Sequence, residues 1–139
     1  GQTVEYKTGV RDMLRRIKQG YFVGLLCDQD PGETGIGVPF FGQMTLTPTG
    51  PAHFSLLCKL PVMTALIHET KPGRYEIIIG DPIEPDEGLN KKEAIRNFTY
   101  KINQRLENWI RQYPEEWFWL HNRWKCTDRF HPEWKGKSC

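Results

Sequence analysis

Apolar residues recur at helical intervals in two parts of the N-terminal half of the chain. Residues 9–19 predict a first helix, and Gly20 supplies its stop. The apolar positions on its buried face are Val10, Met13, Leu14 and Ile17. A second helix is predicted to begin with Thr47 as its N-cap and Pro48 in its first turn. Its predicted core-facing positions are Ala52, Leu56 and Leu57.

The clearest helical pattern begins at Asn90. Glu93 follows three residues later, and this pair is the pattern of a capping box. The apolar positions beyond it recur at three and four residues and define one buried face, consisting of Ile95, Phe98, Ile102, Leu106, Trp109 and Tyr113. Pro114 then suits the start of a new helical turn.

Continuous apolar runs predict strands between these helices. Residues 21–28 and 62–69 have the composition of buried strands, and with the helix between them they predict a right-handed parallel crossover. The run YEIIIGDPIEP follows turn-forming residues and breaks at Pro82, so it is predicted to return antiparallel as a hairpin. Residues 31–44 predict a long loop. The expected fold is therefore α/β, a small mixed sheet packed by helices.

Length and charge narrow the possibilities further. With 139 residues the chain is expected to form one domain over residues 1–139, and its net charge of +2 does not favour a nucleic-acid partner. Between Arg123 and Lys137, however, basic residues outnumber acidic ones and aromatics are interleaved with them. This basic, aromatic end would suit an anionic surface. The longest apolar run, YFVGLLC, is too short to cross a bilayer.

The cysteines offer little chemistry. None of the four forms a C-x-x-C pair, and the pattern favours free, buried thiols over disulfides. Zinc binding would combine some of them with histidines, but the spacing matches no standard site, and no metal is expected. The residues in question are Cys27, Cys58, Cys126, Cys139, His121 and His131.

The main candidate for chemistry is an acidic pair in the stretch GLLCDQDPGETGIGVPFFG. Asp28 and Asp30 follow a predicted strand directly, where α/β folds commonly place ligands. Turn formation before Pro31 is an alternative role. D-x-D also holds divalent cations in many glycosyltransferases, but those enzymes need a nucleotide-binding unit upstream, and only 27 residues precede Asp28.

Four segments in order carry a resemblance to a known family. They are GLLCDQDPGETGIGVPFFG, TPTGPAHFSLLCKLPVMTALIHE, GRYEIIIGDPIE and YPEEWFWLHNRWK. From about Val10 to Lys125 the chain resembles the C-terminal half of the lipid A biosynthesis acyltransferases, the bacterial lauroyl and myristoyl transferases. The resemblance implies the C-terminal part of a glycerolipid-acyltransferase-like fold.

The resemblance also implies a function and a place. Such enzymes transfer a fatty acyl group from acyl carrier protein, or in some relatives coenzyme A, to a hydroxyl of a lipid A precursor. They use no cofactor beyond this acyl donor, and they work on the cytoplasmic face of the bacterial inner membrane. A histidine in a His-x-x-x-x-Asp or His-x-x-x-x-Glu motif is the general base that activates the acceptor hydroxyl.

The chain departs from the family in that motif. Each of its four histidines is followed five positions later by cysteine or glycine, namely Cys58, Gly73, Cys126 and Gly136. The family's motif lies upstream of the stretch that corresponds to Gly1. We therefore expect a C-terminal portion whose catalytic part and membrane anchor are absent, and no transferase activity from this chain in isolation.

Site residues carry over from two matched elements. Asp28 and Asp30 match the family's P-D-x-D element, with Cys27 replacing its proline, and Asp28 is the first choice for a site residue. His121, Arg123 and Lys125 match the tryptophan-histidine-arginine element, where the family more often has a second arginine in place of Asn122. These five are the expected substrate-binding residues, with a phosphate as a partner for Arg123. GVPFFG and TPTGPA are expected to shape the cleft.

Two readings of other classes remain open. One is the metal-dependent glycosyltransferase fragment indicated by D-x-D. The other is a non-catalytic module that binds anionic lipid through its basic, aromatic end. In that segment, Trp117, Trp119, Leu120 and Trp124 are expected in the core or at a membrane interface, and His121, Arg123 and Lys125 on a cationic face.

Overall fold

The computed structural model describes residues 6–125 and 127. Its helices are α1 Tyr6–Lys18, α2 Gly50–Cys58 and α3 Lys91–Gln112. Its strands are β1 Ile36–Phe40, β2 Gln43–Thr47, β3 Ala65–Lys71 and β4 Arg74–Ile79. Short 3-10 turns occupy Gly32–Thr34 and Pro114–Glu116. Helices packed on small sheets confirm the predicted mixed α/β class.

Helix α3 organises the core. The Asn90 side chain accepts a hydrogen bond from the Glu93 backbone N–H at 3.1 Å, which confirms the predicted N-cap. The predicted apolar face is also confirmed, because Phe98 and Ile102 are buried and Trp109 packs partly buried beside them. The buried core residues are Phe40, Ala52, Ile83, Phe98, Ile102, Leu106 and Ile110.

Strands β1 and β2 form a hairpin where a long loop was predicted. Phe40 pairs with Gln43, so Phe41 and Gly42 make the turn, with φ angles of 49° and 77°. Positive φ at both positions matches the twist of a two-residue hairpin. The loop prediction for residues 31–44 is wrong because glycine and proline suggested irregular chain, whereas Val38 and Phe40 alternate into the core.

The second helix begins later than predicted. Thr47 ends β2 instead of capping a helix, and α2 starts at Gly50 with Thr49 as its N-cap and Pro51 in its first turn. Two threonines separated by one residue, each next to a proline, made the boundary ambiguous. Of the expected core positions, Ala52 is fully buried, whereas Leu57 is 69 % exposed.

Residues 21–28 do not form a strand. Phe22 is 92 % exposed and Leu26 is 98 % exposed, and only Val23, Cys27 and Asp28 of this run are half-buried. A parallel strand needs a neighbouring strand for its ladder hydrogen bonds, and the sheets over the described ranges are two separate antiparallel pairs, β1 with β2 and β3 with β4. The predicted parallel crossover is therefore wrong, whereas the predicted β3–β4 hairpin is confirmed.

The tryptophan-rich segment divides between core and surface. Trp117 and Trp124 pack against Phe40, with ring centroids 5.9 and 5.5 Å away, whereas Trp119 is 56 % and Leu120 is 90 % exposed. Cys126 and residues 128–139 lie outside the described residues, with His131, Cys139 and most of the basic end. Within the part that is described, no helix is both long and apolar enough to span a membrane.

Candidate functional site

Two of the matched elements meet in space through a hydrogen bond. The backbone N–H of Asp30 donates to Nε2 of His121 at 2.9 Å, across 91 positions of sequence. Because a backbone N–H can only donate, Nε2 of His121 must be unprotonated in this arrangement. The structure thus joins the acidic turn to the tryptophan-rich segment and assigns His121 a defined role as its anchor.

Asp30 has one occupied and one unoccupied carboxylate oxygen. Oδ1 accepts the backbone N–H of Gly32 at 2.7 Å, which closes an Asx-type turn. Oδ2 is buried and has no hydrogen-bond partner among the residues that the structure describes. A buried oxygen without a donor is costly, and such atoms in native proteins call for an explanation. Asp30 therefore differs from Asp28 in having a buried carboxylate oxygen to which no described residue donates.

Asp30 also lines a large apolar cleft of about 1090 Å³ between α1, the segment after residue 24 and α2. Apolar side chains dominate its walls, among them Val10, Leu14, Leu25, Leu26, Phe54 and Leu57. A second carboxylate in the lining, that of Asp86, accepts hydrogen bonds from Lys101 and Asn97. Asp86 therefore has hydrogen-bond donors for both of its carboxylate oxygens, whereas Oδ2 of Asp30 has none among the described residues.

Arg123 is buried, with a relative exposure of 1 %. Its guanidinium donates through Nη2 to the Thr47 hydroxyl at 2.8 Å, and through Nη1 to the Thr45 hydroxyl at 3.3 Å and to the Leu46 carbonyl. In return, the Thr45 hydroxyl donates to the Arg123 carbonyl at 2.7 Å. The expected cationic face is wrong for Arg123, because β2 supplies acceptors that fix its fork in the interior.

The charge of Arg123 is compensated at a distance. Burial lowers the pKa of its guanidinium to about 10, and the nearby negative charges of Asp30 and Asp28 oppose that shift. The guanidinium also lies over the Phe40 ring, 5.2 Å from its centroid. The acidic pair therefore has a structural effect besides any role with a ligand, because it helps to keep a buried cation charged.

The remaining members of the predicted set are placed less centrally. Asp28 is half-buried in the bend before Asp30, and it is not among the described residues that line the cleft. Burial, and secondly the charge of Asp28, raise the pKa of the Cys27 thiol to about 11, which makes that thiol unreactive. Cys27 and Cys58 are free, as predicted. Lys125 is exposed.

The two threonines that bind Arg123 are not among the residues predicted for the site. Thr45 and Thr47 are almost fully buried on one face of β2. Their alternation in TLT would have indicated a strand with a polar inner face, but the region was interpreted as a loop followed by a cap. Over the described ranges, no group of three or more His, Cys, Asp or Glu side chains converges as a metal site.

A mostly apolar cleft with few polar groups in its wall is the usual form of a small-molecule binding site. Over residues 1–126 the chain matches the family model described as bacterial lipid A biosynthesis acyltransferase, and it belongs to that family. The family expected from the four sequence segments is thereby confirmed. A search of curated proteins found no match.

Proposed function

We propose that this chain forms the C-terminal wall of an enzyme that transfers a fatty acyl group to a hydroxyl of a lipid A precursor. Acyl carrier protein is the proposed donor, with coenzyme A as the alternative carrier, and the cytoplasmic face of the inner membrane is the proposed place. The observation that carries the proposal is the unpaired Oδ2 of Asp30 at the wall of an apolar cleft, in a chain of this family.

The proposed chemistry assigns a different task to each wall residue. The carboxylate of Asp30 accepts a hydrogen bond from a hydroxyl of the lipid acceptor and so orients it, while the apolar cleft holds acyl chain. His121 fixes the backbone of Asp30, and Arg123 holds the tryptophan-rich segment on β2. As the general base we propose a histidine outside these 139 residues. None of the four histidines here begins a His-x-x-x-x-Asp or Glu motif.

The test is an acyl-transfer assay with the protein encoded by the complete reading frame, a labelled acyl carrier protein and a lipid A precursor. We expect labelled acyl chain in the lipid product, a loss of at least about tenfold in kcat/KM for Asp30→Asn, and no transfer by residues 1–139 alone. The matched control is Asp81→Asn, which removes a carboxylate that is 87 % exposed. Transfer by residues 1–139 alone would refute the external histidine.

Membrane contact is proposed for the exposed end of the tryptophan-rich segment. Phe118, Trp119 and Leu120 are consecutive and exposed by 58 %, 56 % and 90 %. Exposed aromatic and apolar side chains suit the interface of a bilayer, and the exposed Lys125 lies in the same segment. We expect Trp119→Ser with Leu120→Ser to reduce co-sedimentation with phosphatidylglycerol vesicles at least about threefold. Equal sedimentation of the double variant and the unmodified chain would remove this contact.

A further inference from the structure

A second cavity, separate from the acidic pair, is lined by positive charge. It has a volume of about 650 Å³ and lies between the turn after Pro31, helix α2 and the first turns of α3. We call it the cationic pocket and define it by Thr34, Thr49, His53, Lys91, Lys92 and Arg96, with Ile36, Gly37 and Ile95 completing its wall. No carboxylate occurs among the described side chains that line it. Three of its side chains are basic, and His53 adds a further polar side chain.

Two lysines occupy the N-terminal end of α3, where positive charge is unfavourable. Lys91 and Lys92 are the first two residues of α3. The N-terminal end of a helix carries partial positive charge, so cations in its first turn are unfavourable and anions favourable. Neither lysine, nor Arg96 one turn on, forms an ion pair with a carboxylate of the described side chains. The lysines therefore do not stabilise the helix, and an anion bound here would be favoured by both the basic side chains and the helix end.

The cationic pocket is continuous with the apolar cleft. Thr34, Thr49, His53 and Lys91 line both. A ligand with an anionic group in the pocket would extend directly between the leucines of the cleft. Such a ligand is an anionic amphiphile, since neither a free anion nor an uncharged acyl chain would use both surfaces.

Arg123 does not supply the phosphate contact. Its guanidinium was the expected phosphate contact, but both of its terminal nitrogens donate to β2. Arg96 and Lys92, by contrast, are exposed. A guanidinium that keeps its fork free can bind a phosphate bidentately, and an ammonium beside it adds a point charge.

We propose that the cationic pocket binds the phosphomonoester head of a phosphorylated lipid whose apolar part lies in the adjoining cleft. The identity of this lipid as the acyl acceptor rests on the proposed function. Binding itself needs no catalytic histidine, so it can be measured on the 139-residue chain without a transfer reaction.

The experiment is isothermal titration of the chain at low ionic strength with three probes. They are dihexanoyl phosphatidic acid, dihexanoyl phosphatidylcholine and inorganic phosphate, with both lipids below their micelle concentrations. We expect phosphatidic acid to bind at least about tenfold more tightly than either other probe, because only it supplies both a phosphomonoester and apolar chains. The double variant Lys92→Ala with Arg96→Ala should lose at least about tenfold in affinity for it.

The matched control is Lys71→Ala with Arg74→Ala, which removes the same charge from the β3–β4 turn, outside both cavities. It should change the affinity less than about twofold. An equal loss in both double variants would show a general charge effect and overturn the site. Equal binding of the two lipids would overturn the anionic head, and inorganic phosphate binding as tightly as the lipid would overturn the amphiphile.

Failure of the proposed function gives a different result. If the full-length enzyme transfers no acyl group while phosphatidic acid binding remains sensitive to Lys92 and Arg96, the acyltransfer proposal fails and the lipid site stands. If transfer proceeds and the pocket variant leaves the KM for the lipid acceptor unchanged, the lipid site fails and the acyltransfer proposal stands.

Discussion

Replacing Arg123 with methionine tests whether this arginine is a structural cation. The variant keeps a long side chain but removes donors to the Thr45 hydroxyl, the Leu46 carbonyl and the Thr47 hydroxyl. Hydrogen bonds from a charged donor contribute about 2 kcal/mol each, so three amount to about 6 kcal/mol. Methionine also removes the cost of burying a charge. Burial lowers the pKa of Arg123 from 12.5 to about 10, and this shift corresponds to a cost of about 3 kcal/mol.

The lost hydrogen bonds outweigh the relieved cost of burial by about 3 kcal/mol, so Arg123→Met should lower the free energy of unfolding by that amount. Urea denaturation followed by tryptophan fluorescence measures it, and with a slope near about 2 kcal/mol per molar the midpoint should fall by about 1.5 M. Arg123→Lys keeps the charge but not the planar fork, so we expect an intermediate loss.

Arg74→Met is the control, because Arg74 is exposed at the start of β4, and its effect should stay within about 0.5 kcal/mol. A free energy of unfolding for Arg123→Met within the same limit would refute the structural role and return Arg123 to the list of ligand contacts.

Three further predictions concern the acidic turn. Burial raises the pKa of the Cys27 thiol to about 11 from 9.0, so its alkylation by iodoacetamide should reach half its maximal rate near pH 11, and a midpoint near pH 9 would contradict this burial. Unfolded chain releases this proton at lower pH than folded chain, so Cys27 should reduce stability as the pH rises from 9 to 11. Gly35→Ala should lower the free energy of unfolding, measured by urea denaturation, by about 1–3 kcal/mol. A Cβ at this position would lie 2.5 Å from the Pro31 ring and 2.9 Å from the Thr47 carbonyl oxygen. Gly24→Ala is the control and should be neutral, because its Cβ would have no neighbour within 4 Å. His121→Ala should accelerate hydrogen exchange at the Asp30 amide by at least about tenfold, as measured by NMR, and unchanged exchange would mean that their hydrogen bond does not hold the turn.

Features set by neighbouring residues could be predicted from the sequence. The cap at Asn90 and the buried face of α3 depend on spacing within one helix, and both are as predicted. The β3–β4 hairpin was likewise indicated by the turn residues between two apolar runs. In each case the deciding interactions lie within a few residues along the chain.

Features that depend on distant partners could not be predicted. Residues 21–28 have the composition of a buried strand, but composition does not show whether a neighbouring strand is present. Arg123 was interpreted as a surface cation because charged residues are rarely buried. Its acceptors are on β2, 76 to 78 positions earlier, and only the folded chain brings them together.

Of the five predicted site residues, the structure joins two directly, and the substrate-binding role of all five stays a prediction. Asp30 and His121 were both expected, and the structure joins them directly, yet Asp28 was the first choice and Asp30 is the residue that lines the cleft. Which aspartate of a D-x-D faces a cavity depends on the turn geometry. Here Gly32 binds Oδ1 of Asp30 and leaves Oδ2 bare, which no spacing rule reveals.

The most direct test of the central claim is the mass of lipid A from cells whose own copy of the gene carries Asp30→Asn. If this chain forms the acceptor wall of a lipid A acyltransferase, the variant should produce lipid A that lacks one acyl chain, as a deletion of the gene should, while the protein remains at normal abundance. Fully acylated lipid A from both the variant and the deletion strain would contradict the acyltransferase assignment. Fully acylated lipid A from the variant alone would contradict the role of Asp30.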